Sequence, residues 1–346
     1  MPLPRGLTPQ IAEVGKIKIG YLGDERSKRN KPDEKYRLPE KLDHFLITHV
    51  NRNRGGRLVI DKELMDALIA EGYGDERENK KVGGKAVDIQ PLRRIPIFLM
   101  SDEIDEVMLC QYVNYVGKRR IATCDGVTHT THYKDRQKLG EPKTRPCDDE
   151  HLGKGWKAHT NFACVIASKA ARFGGVYKFR TTSVITAQQL YGSLQLIQTM
   201  TGGVLAGLPL QLVVRPVNVS PEGKLTTVYV VHVEIIAENI PDIHQRALDV
   251  AAHRAQNYKQ IREATKQYKQ LLAAPGENES DFEQAEIAQE FHPEHVPASE
   301  RTLPPDDPWA AFQSPKDEPK DAEFEEVETP EDREPGADED EEPPAE

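Results

Sequence analysis

Hydrophobic and polar positions alternate with period two over many short stretches of this chain and follow a helical period over only three. Residues 15–20, G-K-I-K-I-G, read as a short strand with its lysines on one face. Residues 37–48 give a second strand, carrying Phe45 and Ile47. Asp61 caps a helix running to residue 71, with Leu64, Leu68 and Ile69 on one side and Gly72 ending it. Residues 95–100 and 106–116 read as strands, and Gly117 with Lys118 turns the chain into a third at 119–123. A further antiparallel pair, 162–168 and 176–182, is joined across Gly174 and Gly175. Thr186 with Gln189 has capping-box spacing, and Leu190, Leu194 and Ile197 form an apolar helical stripe that stops at Gly202 and Gly203. Residues 208–215 and 225–236 are the strongest strands, joined by a turn at 220–223.

This order predicts an α+β fold whose body, residues 1–237, is mostly antiparallel β. A small barrel of the oligonucleotide-binding type is compatible with it. Residues 240–272 then form the longest helix, entered through Pro241 and ended before Pro275-Gly276. Ile243, Ala247, Val250, Ile261, Ala264, Tyr268 and Leu271 make a seam interrupted by Arg254 and Asn257. Such a seam serves either a homo-oligomer or packing on the chain's own sheet.

Charge divides the chain more sharply than pattern does. Residues 275–346 hold 26 Asp and Glu against 4 Lys and Arg, a net of −22, while residues 1–274 hold 42 basic and 31 acidic, a net of +11. The last segment also has 12 of the 25 prolines, so it is expected to be a disordered acidic tail, with the folded part complete before residue 275. A positive body with a negative tail is a pattern of proteins that touch nucleic acid and must be released from it. One island in the tail, P-P-D-D-P-W-A-A-F, offers Asp306, Asp307, Trp309 and Phe312 as a peptide ligand for a basic, apolar groove of a partner. No run of 18 apolar residues predicts a membrane span. The first residues lack the apolar core of a signal peptide, and four cysteines make no disulfide framework in a chain this long. Both lead to the expectation of a reducing cytoplasm.

Candidate chemistry gathers between residues 121 and 183, which hold three of the four cysteines. Cysteines and histidines bunched between strands suggest an insertion, near 124–164, pinned by one structural zinc. The best ligand set is Cys124, Cys147, His151 and His159, whose spacing is irregular. Cys110 and Cys164 lie in apolar strand patterns and are expected to be buried thiols. A metal-dependent hydrolase would use the same histidines with Asp125 or Glu150 as base, yet no H-E-x-x-H, P-loop or G-x-S-x-G motif is present, so the chain is expected not to be an enzyme. For nucleic acid, basic residues interleave with aromatics on two hairpins: Tyr112, Tyr115, Lys118, Arg119 and Arg120 on one, Arg172, Phe173, Tyr177, Lys178, Phe179 and Arg180 on the other. Half of those aromatics must be core, because alternation sends successive side chains to opposite faces.

Several segments together resemble the bacteriophage recombination directionality factor-like family: G-K-I-K-I-G, R-L-P-E-K-L-D-H-F-L-I-T, Cys124-Asp125-Gly126, Lys157-Ala158-His159-Thr160 and G-G-V-Y-K-F-R-T-T-S. The resemblance covers residues 3–237. Family members carry a cysteine just before the K-x-H-T element, where this chain has Trp156, so His151 and His159 enter the ligand set as substitutes. The resemblance implies a non-catalytic phage protein of DNA metabolism in the host cytoplasm. Its named role is to bind a serine integrase and turn integration into excision, and relatives in replication modules imply phage replication proteins as partners instead. The acidic tail is similar in style to those of single-stranded DNA-binding proteins. Single-stranded DNA binding through the body is therefore the first expectation, integrase control the second and hydrolysis the third.

Overall fold

The computed structural model describes residues 11–28, 31–51, 57–82, 85–134, 137–147, 155–220, 225–256 and 281–292. Its strands are β1 (Glu13–Lys28), β2 (Lys31–Asn51), β3 (Arg57–Ile60), β4 (Glu78–Val82), β5 (Lys85–Ile89), β6 (Arg94–Phe98) and β7 (Met108–Val116). They continue with β8 (Arg119–Cys124), β9 (Thr128–Lys134), β10 (Gln137–Pro146), β11 (Trp156–Ile166), β12 (Val176–Thr181), β13 (Leu210–Val219) and β14 (Thr226–Ile235). The helices are α1 (Lys62–Leu68), α2 (Ile104–Val107), α3 (Val184–Met200), α4 (Ile240–Gln256) and α5 (Asp281–Phe291).

One path of hydrogen-bonded neighbours runs β10-β9-β8-β7-β11-β12-β1-β2-β3, and β6 branches from β11 to carry β13 and β14. Of these pairings β1 with β12 is parallel and the others are antiparallel, while β4 and β5 pair separately. The fold is thus α+β and dominated by antiparallel strands. The ends of the path, β10 and β3, do not meet, so the sheet stays open and the barrel admitted by the element order does not form.

Alternation gives the central strands two unlike faces. Ile17, Phe45, Ile47, Phe162, Tyr177 and Phe179 are fully buried on one face, beneath Leu190, Leu194 and Ile197 of α3 and beside Leu210 and Leu212 of β13. Residues of the same strands one position away, including Lys16, Asn161, Lys178 and Arg180, occupy the other face. Gly15 permits the close approach of β1 to β2: a Cβ there would lie 2.3 Å from the Thr48 carbonyl oxygen and 2.8 Å from the Tyr177 ring.

Local chemistry moved several boundaries. Asp61 caps α1 as expected, accepting from the Leu64 N–H at 3.2 Å, but the helix passes into a π turn at Ile69–Tyr73, within which Gly72 leaves helical geometry at φ 91°. The cap of α3 is Ser183, which accepts from the Thr186 N–H at 3.4 Å, so Thr186 is a buried helix residue and not the cap its spacing with Gln189 suggested. Much of the cysteine and histidine stretch expected to be an insertion is sheet, in β9, β10 and β11.

Two expectations for the C-terminal part change. In α4, Ile243 and Ala247 are buried and Val250 packs on the main core, while Arg254 donates to Asp102 Oδ1 at 3.1 Å. The seam's first half is therefore used by the chain's own body; residues 257–272 lie outside the described residues. Within the segment expected to be a disordered tail, Asp281–Phe291 is helical and docked, burying Ile287 and Ala288 against Val113 and Tyr115. Three apolar residues, Ile287, Ala288 and Phe291, recur on one helix face inside an otherwise acidic composition, and the averaged composition hides them.

Candidate functional site

The face of the sheet opposite the main core is basic and polar. Register places Lys16 of β1 beside Lys178 of β12, Arg180 beside Asn161 of β11, and Tyr115 of β7 beside Arg120 of β8, with Lys157 opposite Val113. Helix α5 covers this face. Lys16 pairs with Glu286, Lys18 donates to Glu290 at 2.8 Å, Lys157 Nζ to the Phe291 carbonyl at 2.9 Å, and the Arg120 backbone N–H to Gln284 at 3.3 Å. Phe291 meets the His159 ring edge-on at 5.2 Å between centroids, and His292 packs on Tyr115 at 4.7 Å. Glu13 completes the set, 3.1 Å from both Lys178 and Arg180 and 3.6 Å from Lys16.

Burial and charge act against each other here. Burial alone would raise the Glu13 pKa, but Arg180, Lys16 and Lys178 bring it down to about 2. Lys18 is also disfavoured as a cation by burial, yet Glu290 and Glu286 hold its pKa above the ordinary lysine value. For Lys16 burial wins: its pKa is lowered despite Glu286 and Glu13, with Arg180 and Lys18 adding repulsion. Among the described residues no carboxylate offsets the burial of His159, and Arg180, His292 and Arg120 repel its cation, so its pKa falls to about 3. Its Nε2, and both amide atoms of Asn161, have no hydrogen-bond partner among the described residues.

The nine residues expected to contact nucleic acid do not form one stripe. Tyr115, Arg120, Lys178 and Arg180 reach the basic face and are covered there or paired with Glu13. Tyr177 belongs to the main core, its hydroxyl accepting from the Arg172 N–H at 3.2 Å, so its ring is closed to stacking. Phe179 is core as well. Tyr112 is exposed on the opposite face, Lys118 is half-buried in the hairpin turn, and Arg119 is exposed with its guanidinium 5.9 Å from the Tyr133 ring centre. Arg172 is exposed and lies 3.6 Å from Asp61, away from the hairpin of β7 and β8; Phe173 beside it is exposed. Lys16, Lys18, Asn161 and helix α5 were not singled out as site residues. The two lysines on one face of β1 and the one-turn spacing of Glu286 and Glu290 were the available signals. Asp306, Asp307, Trp309 and Phe312 lie outside the described residues.

Half of the expected zinc set comes together. The sulfurs of Cys124 and Cys147 are 3.2 Å apart, brought close by a turn in which Asp125 accepts from the Val127 and Thr128 N–H groups and Gly126 takes φ 94°. His159 does not join them. Cys124 stands opposite Tyr112 and Tyr112 opposite Ala158, so His159, the next residue on β11, points to the α5 side of the sheet. His151 and Glu150 lie outside the described residues, within which no group of three His, Cys, Asp or Glu side chains is arranged to hold a metal. Asp125 serves the turn. Cys164 is buried as expected and its pKa is raised by burial, but Cys110 is exposed, accepting from the Thr160 hydroxyl at 3.3 Å. No described helix is long and apolar enough to cross a membrane.

A family model described as Gp3-like, recombination directionality factor-like, matches residues 14–236. No curated protein and no solved structure matches the chain. The matched region runs from β1 to the end of β14 and stops short of α4 and α5.

Proposed function

The chain belongs to the recombination directionality factor-like family, and from that membership we propose that it is a non-catalytic accessory factor of phage recombination that docks on a serine integrase and biases it towards excision. The observation that carries this reading is the extent of the match, which takes in the whole branched sheet and not one motif. The test is a recombination assay with the integrase encoded by the same phage, scored on integration and excision substrates with and without the purified chain. Stimulated excision together with co-elution of the two proteins is the expected result. Unchanged recombination in both directions and no co-elution would overturn it.

A second reading, single-stranded DNA binding, is favoured by the basic sheet face bearing Lys16, Lys18, Lys178 and Arg180. One zinc on Cys124 and Cys147 is proposed with either reading, since two cysteine sulfurs 3.2 Å apart would supply half of a tetrahedral site on losing their protons. His151 is retained as a ligand and His159 is not. The acidic peptide around Trp309 is proposed as the element that recruits a replication or recombination protein.

A further inference from the structure

Helix α5 carries Asp281, Glu283, Glu286 and Glu290 and no lysine or arginine. Glu286 and Glu290 are one turn apart, about 6 Å along a helix axis, and they meet Lys16 and Lys18, two residues apart, about 6.7 Å along a strand. The two carboxylates thus present regularly spaced anions to regularly spaced cations. Beside the charges, Ile287, Ala288 and Phe291 pack against Val113 and Tyr115, and His292 lies on the Tyr115 ring. Two ion pairs tie the helix to the face, and charge is what a competing polyanion supplies.

The match between helix and face is incomplete at its centre. Asn161 is 3% exposed and His159 6%, yet both amide atoms of Asn161 and Nε2 of His159 lack hydrogen-bond partners among the described residues. A buried amide normally has its donors and acceptor satisfied. What α5 brings to His159 is the edge of a phenylalanine ring. The face from β1 across β12, β11 and β7 to β8 spans about 19 Å at the usual strand spacing, with lysines at one side, unsatisfied polar groups in the middle and the Tyr115 ring towards the other side.

We propose that this face is a binding site for single-stranded nucleic acid and that α5 is its built-in competitor, its carboxylates standing where phosphates would lie. A nucleic-acid strand carries phosphates for Lys16 and Lys18, base edges with donors and acceptors for Asn161 and His159, and base planes for Tyr115. An acidic helix of another protein would repeat what α5 already offers and leave Asn161 unsatisfied. The inference rests on the reading that the body binds single-stranded DNA, and adds the site and its regulation.

The test compares the full chain with the full-length double variant Glu286→Gln/Glu290→Gln, using a fluorescein-labelled oligothymidine and a labelled duplex of equal length across a salt series. Melting curves check that each variant folds. The double variant is expected to bind oligothymidine at least about tenfold more tightly at low salt, the affinity of both forms falling as salt rises. Adding Lys18→Gln and Asn161→Ala to it should remove the gain. In the unaltered chain, oligothymidine should speed amide exchange in residues 284–291, an outcome that needs no variant. Equal affinity of the two forms, with exchange unchanged, overturns the inference, and oligothymidine binding that persists then assigns single-strand binding to another surface. If neither form binds DNA but the double variant captures a synthetic peptide of residues 281–292, the face is a site for acidic helices and the nucleic-acid assignment is wrong. If neither binds either probe, the inference and the single-strand reading both fall.

Discussion

Replacing His159 with Gln should flatten the acid sensitivity of the fold in one defined pH window. The folded-state pKa of His159 is depressed to about 3 from 6.5, first by burial and then by Arg180, His292 and Arg120. Between those values the unfolded chain binds a proton that the folded chain refuses. Stability therefore rises with pH across the window and is lost as pH falls through it, approaching 1.36 kcal/mol per pH unit for one proton. From pH 6.5 to 4.5 the loss from this one group is about 2 to 3 kcal/mol. Glu13 has its effect lower down: its pKa is depressed to about 2 from 4.5, so its stabilisation is kept above 4.5 and lost on the way to 2. Urea unfolding of both proteins at pH 6.5 and 4.5, followed by far-UV circular dichroism, separates the two groups. The wild type should lose about 2 to 3 kcal/mol more than His159→Gln over that interval. Equal losses would mean that His159 is protonated in the folded protein, and the account of the face beneath α5 as closed to water would fail.

Gly15→Ala should destabilise the fold by about 3 kcal/mol in urea unfolding, because its Cβ would fall 2.3 Å from the Thr48 carbonyl oxygen with the Tyr177 ring fixed behind it. Asp102→Ala should cost about 2 kcal/mol and speed amide exchange in α4, since it removes the acceptor of the Leu205 and Ala206 N–H groups, at 2.8 and 2.9 Å, and the partner of Arg254. Protein purified without chelator is expected to hold about one zinc per chain. Cys147→Ala should lower that content and His159→Gln should leave it unchanged, because His159 faces the other side of the sheet from Cys124.

Elements whose signal is local were legible in the sequence. The alternation of 15–20 gave β1 with its lysines on one face, Asp61 gave the cap of α1, and the apolar runs at 208–215 and 225–236 gave β13 and β14. What could not be read was pairing at a distance. Nothing local says that β1 lies parallel to β12, or that β6 leaves the main path to carry the last hairpin, and those pairings keep the sheet open. The site was half legible for the same reason. Tyr115, Arg120, Lys178 and Arg180 share a face because two hairpins are bridged by β11, whereas Tyr177, one residue from Lys178, is sent by alternation into the core. Cys124 and Cys147 meet through the turn at Asp125, but whether His159 points with them depends on its register against β7, which spacing alone does not fix.

The division of charge along the chain takes a definite form in the fold. A solubilising acidic segment would have no reason to place two carboxylates one helical turn apart opposite two lysines of a buried strand face, and its glutamates would be solvated. In this chain Glu290 is instead held below the usual carboxylate range: burial opposes its charge, and Lys18 with Lys16 overcomes that cost. The same residues show why α5 is better suited to leaving than a core helix is. Its hold includes two ion pairs whose carboxylates a polyanion can replace, beside the packing of Ile287, Ala288, Phe291 and His292. The family match ends at residue 236, so the sheet that bears the basic face falls within it while the covering helix lies beyond. A face carried by the family-matched sheet and a competitor carried by the segment that follows are separable parts. Altering the charge of α5 can therefore change access to the face without changing the face itself.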